Sequence, residues 1–419
     1  MSFKVRPESS AILTPEDSAV LHAIYRHRCL SEEQLTGYFY FALDDGKNGY
    51  TLDRVNALIE AGFMDPREYR PGRWVYYLTY MGVQYVRDTS DRPLYTTREK
   101  SGRRRYDATA GTLRLHDFML DHQCRLNDLA LEIIRRCGLD PDCYKDNLFA
   151  SNFTYAQPDG VIELPGFDLF LEMDMGNERL GFLRGKWDHY RAYFRSRDYQ
   201  LHRRKKIIVL FATENVQKLS RRRRTVVKSL VQTSMDLLGP TFECYIGPNE
   251  EMVEIAAESI VGASPRFQEA VRLMEDVHGA RANQPAQLSG PAWGAYRCIQ
   301  PSGATPFLFV DGYRQPASIL KMTAYFGQTQ AALAGGPYRR LRLLILVPGA
   351  AEAARDILSA GIRPGPEVCY VTLERLRERP LHEALFLFDQ LGGRYCFAGP
   401  ELAEPRYEMR QFRVQRDIR

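Results

Sequence analysis

The chain has little that would tie it to a membrane, a disulfide framework or a nucleotide. No apolar run approaches the ~18 residues needed to cross a bilayer. The N-terminus, MSFKVRPESSAILTPEDS, has no apolar stretch of the kind that opens a secretory signal. The eight cysteines are scattered without a Cys-x-x-Cys pair, and Cys137 and Cys143 are the closest two. This usage fits reduced thiols without structural zinc, so a cytoplasmic location and no membrane partner are expected. There is no G-x-x-x-x-G-K-[ST] phosphate loop, which leaves ATP hydrolysis unsupported. Neither a G-x-S-x-G elbow nor an H-E-x-x-H pair occurs.

What is present is a chain of 419 residues, long enough for two or three domains, each with a sizeable core. Its 44% hydrophobic and 26% charged content is ordinary for a soluble protein. The net charge is only +5, but it is unevenly spread. Between positions 201 and 228 there are ten Lys or Arg and one acid, Glu214. Such a cluster suits a polyanion better than a membrane, the alternative being a solvated helix face.

Residues 1–97 read as a winged helix-turn-helix. Thr14 caps a helix whose apolar stripe is Ala19, Leu21, Ile24 and Tyr25. Ser31 and Gln34 form a capping-box pattern for a second helix. Tyr50 to Ala61 makes a third, which Gly62 stops. Pro71-Gly72 then turns a hairpin between two β-rich runs. In that fold the third helix enters the major groove and the hairpin touches the backbone. Asn48, Thr51, Arg54 and Asn56 are the candidate groove residues, Arg and Asn being able to read base edges. Arg67, Arg70 and Arg73 would meet phosphates. A basic linker follows at 98–110, and its Arg103, Arg104 and Arg105 could track a double-stranded DNA backbone. The alternative is a winged helix that only mediates protein contacts.

Residues 111–247 read as a restriction-endonuclease-like core of order αβββαβ, extended by a further helix and strand. The helix spans Thr112 to Arg136 and the strands Phe153–Tyr155, Val161–Leu164 and Asp168–Asp174. A helix from Arg179 to Phe194, the strand KIIVLFA, a helix from Asn215 to Leu238 and the strand Phe242–Ile246 complete it. Pro158-Asp159 precedes one strand, and Glu172-Met173-Asp174 ends the next. Phosphodiester hydrolysis must neutralise charge on the phosphate and activate a water. Mg²⁺ does both and takes one or two carboxylates with several waters. Asp159 and Glu172 are the expected metal ligands, with Asp174 on the same strand face as Glu172. A PD-(D/E)xK enzyme carries a lysine two positions after the second acid, where this chain has Asp174. Lys186 on the next helix is the substitute, with Tyr190 one turn later and Glu178 a further carboxylate. His116 either faces that cleft or caps and packs the helix. The same pattern also suits a site that has lost its lysine and only binds.

The winged helix followed by PDG…FLEMDMGNE…KWDHYRAYF resembles the replication-relaxation family of plasmids and integrated mobile elements. The residues that carry the resemblance are Asp159, Glu172, Asp174, Glu178, Lys186 and Tyr190, with His116 near the start of the domain. It covers roughly residues 10–245. It implies a role in plasmid replication, relaxation or transfer. Double-stranded DNA is the expected partner, and a non-enzymatic accessory factor would also recruit relaxase or replication proteins. Dimerisation fits such proteins, though nothing in the sequence forces it.

After a helical segment and linker at 248–304, residues 305–419 form a further α/β domain. Asp311, Lys321 and Tyr325 repeat the order of Asp174, Lys186 and Tyr190, which suggests a degenerate second copy without a metal site. The whole is expected to be multi-domain α/β. Two functions are open: a metal-dependent nicking enzyme, or a non-catalytic origin-binding factor or regulator with a relic nuclease fold.

Overall fold

A computed structural model describes residues 13–408, apart from 41–48, 91–94, 99–103, 107, 151–154, 177, 202–204, 214–218, 235, 239–240, 262–263, 284–296, 301–306, 313–341, 352, 355–356, 358–364 and 390–392. The chain forms two compact units, Met1–Asp174 with Ser196–His202, and Met175–Arg195 with Arg203–Arg419. The architecture is mixed α/β, as expected.

In the first unit, helix α1 (Pro15–His27) starts at a capping box. Thr14 Oγ1 accepts from the Asp17 amide at 3.2 Å, and Asp17 Oδ2 accepts from the Thr14 amide at 2.9 Å. Two of the amides that a helix start leaves unpaired are thereby satisfied. Strand β1 (Leu30–Ser31) leads into a second box, Ser31 with Gln34, that opens α2 (Glu32–Leu35). Helix α3 (Gly49–Glu60) is followed by β2 (Met64–Arg70) and β3 (Arg73–Leu78). These two strands form the expected hairpin, Gly72 taking φ +72°, and β1 adds antiparallel to β3 to give the order β1-β3-β2.

Helix α4 (Tyr80–Thr89) was not foreseen, because TYMGVQYV is rich in aromatic and β-branched residues and reads as strand. Thr79 overrides that propensity by accepting from the Gly82 amide at 3.2 Å. Gly82 is required there. A Cβ would sit 2.3 Å from the Phe63 carbonyl oxygen. Beyond it, the segment expected as a basic linker pairs as an antiparallel ribbon of β4 (Tyr95–Arg98) and β5 (Arg104–Tyr106).

The single helix expected over Thr112 to Arg136 is broken. A short α5 (Ala110–Leu113) ends in extended backbone at Arg114, a 3₁₀ turn covers Asp117–Met119, and α6 (Leu120–Cys137) follows. Gly138 closes α6 in the left-handed conformation at φ +59°. Strands β6 (Tyr144–Asp146), β7 (Gly160–Glu163) and β8 (Phe167–Asp174) pair antiparallel in that order. The first of the three was expected at Phe153–Tyr155. Residues 153 and 154 lie outside the described set and Tyr155 sits in a bend, so the first strand is Tyr144–Asp146, too short to show a period of two.

One hydrophobic cluster joins the N-terminal helices and strands to α6. Val20, Leu21 and Ile24 of α1 pack with Leu58, Leu78 and Val83, and with Leu131 of α6 and Phe149. A buried polar network runs beside this core. Gln123 Nε2 donates to the His27 carbonyl at 3.3 Å, to Asn127 Oδ1 at 3.1 Å and to Asp146 Oδ2 at 3.0 Å. Asn127 Nδ2 donates to the Cys29 carbonyl at 2.7 Å. His27 stacks on Tyr144 with centroids 4.3 Å apart.

The second unit begins with α7 (Leu180–Arg195); the short α8 (Arg197–Leu201) belongs to the first. Strand β9 (Lys206–Thr213), helix α9 (Leu219–Ser234) and strand β10 (Phe242–Gly247) follow, with β10 parallel to β9. Helices α10 (Asn249–Val261) and α11 (Pro265–Asp276) lead to an eight-stranded sheet. Its strands run in chain order: β11 (Arg281–Asn283), β12 (Arg297–Gln300), β13 (Phe307–Asp311), β14 (Arg342–Leu346), β15 (Val368–Val371), β16 (Phe386–Phe388), β17 (Arg394–Phe397) and β18 (Pro405–Glu408). Strands β13, β14 and β15 are parallel and the rest pair antiparallel. Between β15 and β16 lie α12 (Leu373–Glu378) and α13 (Leu381–Ala384). Asp311 ends β13 and is buried, but Lys321 and Tyr325 of the suggested second copy lie outside the described residues.

Candidate functional site

The β7–β8 register pairs Gly160 with Leu171 and Val161 with Phe170. Continued by one step beyond β7, this register would set Asp159 opposite Glu172. Cross-strand neighbours of this kind have Cβ atoms about 5 Å apart. Glu172 and Asp174 share one face of β8 and both are fully buried. Asp159 is bound to the end of β8 rather than standing apart from it. Its Oδ2 accepts from the Met173 amide at 2.8 Å and lies 3.3 Å from His122 Nε2, which is 3.1 Å from the Met173 carbonyl oxygen.

Sequence reasoning left His116 between the cleft and a packing role, and did not single out His122. His116 is exposed and stacks on Phe118 at 5.7 Å. His122 lies six positions on, at the start of α6. His122 and Gln123 both reach the strands from α6, a placement that sequence spacing does not show. Asp159, Glu172 and Asp174 are the residues that would hold a Mg²⁺ ion there. Among the described residues, no group of three or more His, Cys, Asp or Glu is placed to hold a metal ion. One oxygen of Asp159 is already committed to the Met173 amide.

In the second unit, Lys186 Nζ lies 3.5 Å from Glu178 Oε1 and 5.5 Å from the Phe211 ring centroid. Arg222 also reaches Glu178, with Nη2 at 3.8 Å from its carboxylate and Nη1 donating to its backbone carbonyl at 2.7 Å. Glu178 thus serves to fasten the entry of α7 to α9. Tyr190 is buried between Trp187 and Phe242, with centroids 5.9 and 5.7 Å away. Trp187 Nε1 donates to Ser229 Oγ at 2.8 Å and completes this face of α7. Tyr190 therefore contributes its ring to a core. Arg223 of the basic run also turns inward, its Nε donating to the Ile246 carbonyl at 3.1 Å.

The candidate DNA-contacting residues separate into groups. Asn48 and Arg103 lie outside the described residues. Arg104 falls on β5, and so does Arg105. Thr51 is fully buried. Arg54 is ion-paired with buried Asp17, which also accepts from the Tyr40 hydroxyl at 2.9 Å. Burial alone would raise the Asp17 carboxyl, but hydrogen bonds from Arg54, Thr14 and Tyr40 hold it below its ordinary value. Neither Thr51 nor Arg54 therefore offers an open edge to a groove. The exposed face of α3 carries Leu52, Asp53, Asn56 and Glu60, and of the candidates only Asn56 is on it. On the hairpin, Arg67 pairs with Asp117 and Arg70 with Asp121, while Asp65 pairs with Arg114. Arg73 is exposed beside exposed Trp74.

Residues 21–210 match the model of the replication-relaxation family. The resemblance read from the sequence is thereby shown over that stretch, which runs from α1 into β9 and contains Asp159, Glu172, Asp174, Glu178, Lys186 and Tyr190. No curated protein and no solved structure matches the chain. The replication-relaxation match points to a role in replication or relaxation of a plasmid or mobile element. Among the described residues, no helix is long and apolar enough to cross a membrane.

Proposed function

We propose that the protein is a non-catalytic DNA-binding factor that acts in replication or relaxation of a mobile element and recruits relaxase or replication proteins to duplex DNA. The order α1-β1-α2-α3-β2-β3, with β1 on β3, supports a winged-helix reading of the N-terminal elements. The observation that carries the proposal is the β4–β5 ribbon. Its register sets Arg98 at the same rung as Arg104, and residues 98–105 hold five Lys or Arg against one acid, Glu99. A two-stranded ribbon is marginal by itself, and a polyanion bound along so basic a sequence would stabilise it. Each phosphate neutralised releases counterions, so binding should weaken steeply with salt. The test is fluorescence anisotropy on labelled duplex between about 50 and 200 mM salt, comparing the wild type with Arg104→Ser/Arg105→Ser. Weaker binding with a salt slope lower by about two is expected. An unchanged slope would remove the ribbon from the DNA interface.

A second reading, a Mg²⁺-dependent nicking core, is favoured by the register that would set Asp159 opposite Glu172. It is tested with supercoiled plasmid in Mg²⁺ or Mn²⁺. The non-catalytic reading expects intact plasmid. Nicking that EDTA blocks and Glu172→Ala abolishes would establish the enzyme instead.

A further inference from the structure

The C-terminal sheet holds a cluster of cations that the family match does not reach. Arg375 on α12, Arg379 just beyond it and Arg394 on β17 converge on Glu408, the last residue of β18. Arg375 Nη1 lies 3.2 Å and Arg379 Nη1 3.0 Å from Glu408 Oε1, and Arg394 Nε lies 2.5 Å from Oε2. Three guanidinium charges face one carboxylate charge, so the four side chains carry a surplus of two positive charges. Arg375 and Arg394 are each only 7% exposed, with their guanidinium carbons 5.2 and 5.8 Å from the Phe386 ring centroid.

Arg375 is held in place independently of the carboxylate. Its Nε donates to the Ala384 carbonyl at 2.9 Å and its Nη2 donates to the Glu383 carbonyl, both at the C-terminal end of α13, and to Cys396 Sγ at 3.0 Å. The Cys396 thiol in turn donates to Glu408 Oε2 at 3.1 Å. Burial, and then the charge of Arg375, hold Arg394 below its ordinary value against the pull of Glu408. Burying surplus charge is costly unless an anion compensates it. The planar forks of several arginines aimed at one point suit the oxygens of a phosphate group. The cluster also has an open side, since the Arg379 side chain is 37% exposed while those of the other two arginines are almost covered.

We propose that Arg375, Arg379 and Arg394 form a phosphate-binding site in which Glu408 is the resident anion that a phosphate group replaces. Glu408 ends its strand, so its side chain can leave without unpairing the rungs before it. A free ion, a nucleotide and a nucleic-acid backbone all present the same phosphate chemistry to this site.

The test uses the full chain, titrated with sodium phosphate and with sodium chloride at matched ionic strength, read by calorimetry and by thermal shift. The wild type should bind phosphate. Glu408→Gln should melt lower in chloride, regain stability in phosphate, and bind phosphate roughly tenfold or more tightly, because the competing charge-assisted bonds are gone. Arg379→Gln, at the exposed edge, should fold normally and lose the phosphate response. A second arm titrates a short oligonucleotide lacking terminal phosphates. Competition with inorganic phosphate assigns the site to backbone phosphate as well, and its absence assigns the site to free phosphate groups. Equal behaviour of phosphate and chloride in the wild type, or an unchanged phosphate response in Arg379→Gln, would overturn the proposal.

Discussion

Replacing Asp146 by Asn should change how stability depends on pH, in a direction and by an amount the buried network sets. Burial pushes the Asp146 carboxyl up from an ordinary 3.8 to about 6; Arg28, the Leu148 amide and Gln123 oppose this, and Asp159 adds to it. A group raised on folding contributes stability that is fully present below its unfolded value and lost as pH climbs through its folded value. Asp146 therefore weakens the wild type between pH 3.8 and about 6. Each pH unit is worth about 1.4 kcal/mol, so the loss is about 3 kcal/mol by neutral pH. His27 acts in the opposite sense. Burial pushes it down to about 3, so its stabilisation is present above 6.5 and is lost as pH falls. Both proteins keep His27, and the difference between them isolates Asp146. The variant also carries a constant penalty of roughly 1–2 kcal/mol, because an Asn amide meets the Gln123 donor poorly. Native-state hydrogen exchange of α6 amides, corrected for intrinsic rates, reads the first unit locally. The variant should gain about 3 kcal/mol on the wild type between pH 4 and 7. A difference that stays flat across that range would refute the placement of Asp146 as a carboxylate ionised at a cost.

Three further outcomes are expected. Gly82→Ala should cost about 2 kcal/mol or more, because the added methyl lies 2.3 Å from a backbone oxygen, with the melting temperature as the measure. Asp17→Ala should cost roughly 3 kcal/mol in denaturant unfolding, because it strips the partners from Arg54 and Tyr40; a negligible effect would return Arg54 to the groove-reading candidates. Asp117→Asn/Asp121→Asn should leave stability nearly unchanged, since both ion pairs are exposed, yet tighten duplex binding several-fold by unmasking Arg67 and Arg70.

Much of the fold was legible because the signals were local. Thr14, Ser31 and Pro71-Gly72 mark element boundaries by chemistry that acts within four residues, and each boundary formed there. The strands FDLFLEMD and KIIVLFAT are long enough to declare themselves. Tyr144–Asp146 is not, and α4 was hidden because one threonine hydroxyl outweighs the strand propensity of its neighbours. The candidate site was legible as a register, Asp159 against Glu172, but not as a set of partners. Nothing in a run of arginines says which of them turn inward, so Arg54, Arg222 and Arg223 could not be told from solvent-facing ones. His122 escaped for the same reason: its role depends on where β8 ends, which is tertiary information.

The polar network of His27, Gln123, Asn127 and Asp146 has a consequence for how such proteins diversify. The N-terminal helices share their interior with α6 and β6, so they are not a detachable reading head. A recombination joint near position 97 would leave His27 and its carbonyl facing a foreign helix with no amide to receive them. On the proposed DNA-binding reading, exchange of specificity between relatives should therefore carry the chain through Asp174, or proceed by point changes on exposed positions such as Asn56 and Arg73.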